Sequence, residues 1–137
     1  MKVVIDVNVL LQSLGKSSRL RPVWVAFVTE KFNLLISNSI LMEYEEMLAQ
    51  KTSETVALNV ISLIGEAVNT REINIFYEWN AIRKDPDDNK YFDTAVSGDA
   101  DYLVTNDKHF NEVKTLEFPS IKIISGEEFL EVVSRLF

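Results

Sequence analysis

Residues 2–6 read KVVID, a run of β-branched apolar residues with no polar alternation, and few folds accommodate such a run. A strand with one wet face alternates apolar and polar positions, whereas a strand of a parallel sheet is covered on both faces and reads as continuously apolar. Similar runs recur as FNLLIS (32–37), ADYLVT (100–105) and IKIIS (121–125), with a weaker one at EINIF (72–76). Helical spacing fills the intervals: Trp24, Phe27, Val28 and Lys31; Ile40, Leu41, Tyr44, Met47 and Leu48; Val56, Val60, Leu63 and Ile64; then Phe129, Leu130 and Val133. Strands alternating with helices predict an α/β fold, a three-layer α/β/α sandwich around a central, mostly parallel sheet.

A length of 137 residues with 47% hydrophobic content suits one domain spanning residues 1–137. LGKSSRLRP (14–22) is the one loop of any length, and there is no repeat. With no cysteine, a disulfide framework, a thiolate metal site and a cysteine nucleophile are excluded, and a cytoplasmic protein is expected. The start, MKVVIDVNVL, lacks the long apolar core of a signal peptide, and no stretch approaches the roughly 18 apolar residues of a membrane span. A soluble protein with no membrane partner is therefore expected. A net charge of −7 argues against a general nucleic-acid coat protein, so any nucleic-acid contact must be local.

An open parallel sheet places its ligand site beyond the carboxyl ends of its strands. Asp6 closes the first run and Asp107 follows YLVTN just past another, so both fall on that edge. Residues 85–93, DPDDNKYFD, hold four aspartates. A helix start accounts for two of them: Asp85 suits the N-cap, Pro86 the first helical position and Asp87 the first turn. Asp88 is different. At about 100° per residue it projects within about 10° of the centre of the face formed by Tyr91, Phe92, Ala95 and Val96, while Asp87 and Asp93 point more than about 100° away. A carboxylate on the sheet-facing side of a helix is costly unless positive charge meets it, which makes Asp88 a candidate ligand. In SNSILMEYEEML, Glu43 and Glu45 flank the apolar face and Glu46 lies opposite. Pattern alone leaves open which flank lines a cleft, and a solvated helical face explains both.

Taken in order, VVIDVNVLL with Asp6 and Asn8, SNSILMEYEEML with Glu43, DPDDNKYFDTAV with Asp88, and DYLVTND with Asp107 resemble the motifs of the PIN-domain nucleases over nearly the whole chain. The carboxyl half is most similar to the VapC-like branch, the toxins of bacterial or archaeal toxin–antitoxin pairs. The resemblance implies a metal-dependent endoribonuclease that hydrolyses RNA phosphodiester bonds. It implies Asp6, Glu43, Asp88 and Asp107 as the catalytic, metal-binding acids, with Asn8, Thr105 and Asn106 orienting ligands or water. It further implies a homodimer and a cognate antitoxin protein. Val7 departs from the pattern, since many relatives carry a small hydroxyl residue there.

Converging carboxylates with neither histidine nor cysteine among them form an all-oxygen site suited to Mg2+ or Mn2+ rather than zinc. The lone His109 reads as a surface-loop residue. Because an acidic cleft repels RNA, cations must frame it, and the candidates are Lys16, Arg19, Arg21, Arg83, Lys84, Lys90 and Lys108; each serves equally as ordinary solubility charge. Other readings compete. A haloacid-dehalogenase-like phosphohydrolase also places an aspartate after its first strand but needs an acid two residues on, where this chain has Asn8. A receiver domain needs paired acids after the first strand and a phosphoacceptor after the third, and neither is evident. A catalytically inactive PIN-like binding module would keep the fold without cleavage. VWVAFV (23–28) is apolar nearly all round, which suits either core burial or a face covered by a partner.

Overall fold

The apolar runs form the strands of one sheet because no polar residue interrupts their burial: Val3, Val4, Leu35 and Leu103 have no exposed surface. The structure, a computed structural model, describes residues 1–137. The strands are β1 (Lys2–Ile5), β2 (Asn33–Ile36), β3 (Thr70–Glu72), β4 (Tyr102–Val104) and β5 (Ile123–Ile124). They lie in the order β3-β2-β1-β4-β5, and every pairing is parallel. The flanking helices are α1 (Val7–Leu14), α2 (Arg21–Val28), α3 (Asn38–Lys51), α4 (Glu54–Glu66), α5 (Asn89–Ser97), α6 (Asn111–Lys114) and α7 (Gly126–Ser134). Short 3-10 turns, Pro86–Asp88 and Lys108–Phe110, precede α5 and α6. Helix α2 packs against α1 and α7; α5 lies on β1, β2 and β4 and touches α3, which runs along α4.

The strand order sets the site. From β1 the chain steps outward through β2 to β3, then returns to place β4 and β5 on the other side of β1. The order reverses between β1 and β4, and a crevice opens at such a reversal beyond the carboxyl ends of the strands. The Asp6 N–H donates to the Val104 carbonyl at 2.9 Å, tying the two strand ends together.

Local chemistry shifts several expected boundaries. EINIF does not form the third strand; the strand is Thr70–Glu72 and its ladder ends with the Ile73 N–H on the Ile36 carbonyl at 2.7 Å. Beyond that point β2 offers no further partner, and Phe76 is left 91% exposed. Helix α2 stops at Val28, short of Lys31, because Glu30 adopts a left-handed φ of 62°. It begins at Arg21, so the expected loop ends earlier than residue 22. The core buries Val23, Trp24, Ala26 and Phe27, so packing between α1 and α7 accounts for most of VWVAFV. Helix α4 is rotated from the expected face: Ala57 and Ile64 are buried while Val56 and Leu63 are exposed. No helix is long and apolar enough to cross a membrane.

Candidate active site at the carboxyl edge of the sheet

Asp6 occupies the N-cap position of α1, where its side chain lies near the Asn8 N–H but makes no full capping hydrogen bond. The carboxylate instead turns to the neighbouring strand end, where the Thr105 hydroxyl donates to Oδ2 at 2.7 Å. The same hydroxyl oxygen accepts the Asp107 N–H at 3.0 Å, so one threonine links the two acids at the ends of β1 and β4. Asp107 Oδ1 in turn accepts the His109 N–H at 2.9 Å and caps the Lys108–Phe110 turn. These acids project where they do because both strands stop and their chains turn on hydroxyl and carboxylate bonds rather than on ladder bonds.

Glu43 reaches the site from α3 and is fixed by α5. The Tyr91 hydroxyl donates to Oε1 and accepts the Val7 N–H at 3.3 Å, while Lys90 Nζ lies 3.1 Å from Oε2. Glu45, by contrast, is exposed. Behind them the Tyr44 hydroxyl donates to the Ile5 carbonyl at the end of β1. Burial raises both phenols far above their ordinary range, so each acts as a neutral donor.

Asp88 arrives differently from the expectation. The helix does not run through Pro86; a 3-10 turn comes first, with Asp85 accepting the Asp87 N–H at 3.2 Å, and α5 begins at Asn89. Asp88 still points inward, its side chain 13% exposed. Its carboxyl is raised to about 7, chiefly by burial and then by repulsion from Asp107, Asp85 and Asp6, with His109 acting in the opposite direction. Asp6 is also raised, by burial first; the Thr105 hydroxyl and the Asn8 N–H counter this, and Asp107 and Glu43 add repulsion. The fold thus brings Glu43, Asp88 and Asp107 each within electrostatic reach of Asp6, and Asp88 within reach of Asp107.

Cations are scarce inside this cluster. Lys90 pairs with Glu43, but no lysine or arginine lies within salt-bridge distance of Asp6, Asp88 or Asp107. A buried carboxylate without a counter-cation is costly, and oxygen donors in this number fit a hard dication. His109 departs from the surface-loop expectation: Nδ1 lies 3.3 Å from Asp107, 3.4 Å from Asp88 and 3.8 Å from Asp85. Asp85, Asp88 and His109 alone have ligand atoms close enough for a shared ion, within 4.8 Å of one another. A nitrogen donor therefore borders the all-oxygen set.

The other named residues scatter around this centre. Asn8 is exposed at the start of α1, and Asn106 accepts the Gly126 N–H at 3.0 Å, holding the start of α7. Arg21 donates to the Leu14 carbonyl at 2.5 Å, and Arg19 pairs with Glu127 at 3.0 Å. Lys16, Arg83, Lys84 and Lys108 are exposed and make no salt bridge, although Glu112 lies within the attraction of Arg83 and Lys84. Asp93, which the helical wheel turns away from the sheet-facing side, is nonetheless 4% exposed and accepts the Trp79 N–H at 3.1 Å, because residues 73–85 cover it. Periodicity along one helix carries no information about a distant segment that covers it.

An α/β domain with mutually repelling acids at the crossover of a parallel sheet is the class that fold and site define together. The PIN-domain family profile matches residues 2–109, a span that includes all four acids, and the chain belongs to the PIN-domain family. No curated protein matches it in sequence. Among solved structures the fold is similar to VapBC2 from Rickettsia felis, crystallised bound to a DNA fragment from the promoter; the TM-score is 0.62 at 13% identity, covering 91% of this chain and 98% of that one. It is also similar to VapC20 from Mycobacterium tuberculosis, a toxin that cleaves the sarcin-ricin loop, with a TM-score of 0.61 at 13% identity over 84% of this chain and 97% of that one.

Proposed function

We propose that this protein is a metal-dependent endoribonuclease, the toxin of a type II toxin–antitoxin pair, acting in the cytoplasm as a homodimer and restrained by a cognate antitoxin. The observation that carries this reading is the acid cluster itself: Asp6, Asp88 and Asp107 converge at the sheet crossover without a lysine or arginine partner. Membership in the PIN-domain family and the likeness to toxin folds support it.

Asp6, Glu43, Asp88 and Asp107 are the residues that would hold Mg2+ or Mn2+. When bound, such an ion lowers the pKa of water and neutralises charge on phosphoryl oxygens. The chain's own residues prepare the site. Thr105 fixes one Asp6 oxygen and the Asp107 backbone, and Tyr91 with Lys90 fixes both Glu43 oxygens. Held in this way, the carboxylates need little reorganisation to receive a cation. Lys16, Arg83, Lys84 and Lys108 are the exposed cations available to RNA phosphates.

A catalytically inactive binding module is the competing reading, and the Lys90 ammonium already seated on Glu43 favours it. Cleavage of labelled RNA with Mg2+ or Mn2+ separates the two. Wild type should cut in either metal and stop in chelator, and Asp6→Asn should lose at least a hundred-fold in rate, on the order of one removed electrostatic contact. Equal cutting by wild type and Asp6→Asn, or none by either, would overturn the nuclease reading.

A further inference from the structure

Residues 73–85, between β3 and the turn before α5, form neither helix nor strand. Such a long irregular segment in a compact fold is commonly either functional or disordered. This one is pinned. Asp93 accepts the Trp79 N–H at 3.1 Å, and the Asn89 side chain both accepts the Ile82 N–H at 2.9 Å and donates to the Ile82 carbonyl at 3.0 Å. Glu112 accepts the Arg83 and Lys84 N–H groups at 3.0 and 3.2 Å. Two of the pinning residues belong to α5, the helix whose start carries Asp88. Asp93 lies five residues along from Asp88, roughly 7.5 Å of helical rise.

What the pinned strap holds outward is aromatic. The Tyr77 ring sits 4.6 Å from Trp79 at 61°, and Trp79 sits 5.7 Å from Phe118 at 81°. Tyr77 is 62% exposed and Phe118 is 80% exposed, so much of both outer rings faces solvent. The strap then runs through Arg83 and Lys84, exposed and without a salt bridge although the Glu112 carboxylate lies within their attraction, into Asp85 and Asp88. Glu78 is exposed and its charge bears on Asp93, so phosphates are expected on the Arg83 and Lys84 side of the strap. Exposed rings on a strap that continues through two exposed cations into an acid cluster match single-stranded RNA, whose bases stack on aromatics while its phosphates meet positive charge.

We propose that Tyr77, Trp79 and Phe118 form a stacking platform for unpaired bases of a single-stranded RNA, with Arg83 and Lys84 contacting the phosphates that lead to the acid cluster. The platform rests on RNA being the substrate class, and its test is one of binding rather than cleavage. The chain has two tryptophans, and Trp24 is buried, so a stacked base reports through quenching of Trp79 fluorescence. In chelator, wild type is titrated with an oligouridylate of about ten nucleotides and with an abasic ribose-phosphate strand of equal length.

The base-bearing strand should quench Trp79 and bind more tightly than the abasic one. Tyr77→Ala should weaken base-bearing binding about ten-fold, leave abasic binding at the wild-type level, and keep the wild-type melting temperature. Substituting Arg83 and Lys84 with alanine should weaken both strands. If Tyr77→Ala and Phe118→Ala bind both strands as wild type does, the platform is refuted. It is equally refuted if Tyr77→Ala turns a dimer into a monomer by light scattering, since a second copy then covers these rings. Cleavage is scored separately: base-dependent binding without cutting in Mg2+ keeps the platform and removes the nuclease, while cutting with binding indifferent to the rings does the reverse.

Discussion

Thr105 shows how much one hydroxyl can organise. It donates to Asp6 and accepts from Asp107, so Thr105→Val leaves a buried carboxylate and a part-buried N–H unpaired at nearly constant side-chain shape. We expect a loss of about 1–3 kcal/mol by denaturant unfolding together with slower cleavage, since the cost of stranded polar groups is of that order. Unchanged stability would mean that water replaces the hydroxyl freely. Asp88 and Asp6 make the metal-free protein sensitive to pH. A carboxyl whose folded pKa lies above its unfolded value destabilises the fold when ionised. The penalty is full above the folded pKa, about 7 for Asp88 against an ordinary 3.8, and is relieved as pH falls toward the unfolded value. In chelator, wild type should therefore melt higher at about pH 5 than at about pH 8, and Asp88→Asn should flatten that slope. A slope of opposite sign in wild type would contradict the repulsion.

The positions of Asp6 and Asp107 were legible from strand ends, because a parallel sheet has a single carboxyl edge. Asp88 was legible from its helical wheel, although the turn that carries it is a 3-10 turn. Tyr91, Tyr44 and His109 were not. Their roles depend on partners 48, 39 and 21 residues away in the chain, and no local period encodes such a meeting.

Among the elements, sheet and helices followed from continuous apolar runs and helical spacing, and the errors fell where tertiary contacts decide. EINIF has strand composition, but at the sheet edge it has no partner beyond Ile73. Asp93 lies away from the sheet-facing side of its helix, and its burial comes from the 73–85 strap, which no local pattern shows. That strap gives a prediction at this scale. The Asn89 side chain makes both of its bonds to Ile82, so Asn89→Ala strands a buried N–H and carbonyl and should cost about 2–4 kcal/mol by denaturant unfolding. Hydrogen exchange should accelerate in residues 77–84 more than in β1 or β4. Uniform acceleration would show that the strap does not open as a separate unit.

At the scale of the whole molecule, the net charge is −7, and Lys84 and Lys108 adjoin Asp85 and Asp107 in the chain. The homodimer of our proposal should appear in light scattering as about twice 15.7 kDa across micromolar concentrations, and a monomer throughout that range would remove it. On the proposed function, the acid cluster holds a dication by relieving repulsion among its own carboxylates. Like charges about 4 Å apart repel by roughly 4 kcal/mol at an effective dielectric near 20, an upper guide that solvent and relaxation reduce. A bound cation stabilises the fold only through preferential binding to the folded state. Thermal melts of wild type and Asp88→Asn, each in chelator and in excess Mg2+, test this most directly. Asp88→Asn should melt above wild type in chelator and gain much less from Mg2+; if it melts below wild type in chelator and responds equally to the metal, Asp88 is a structural turn residue and the metal site is not there.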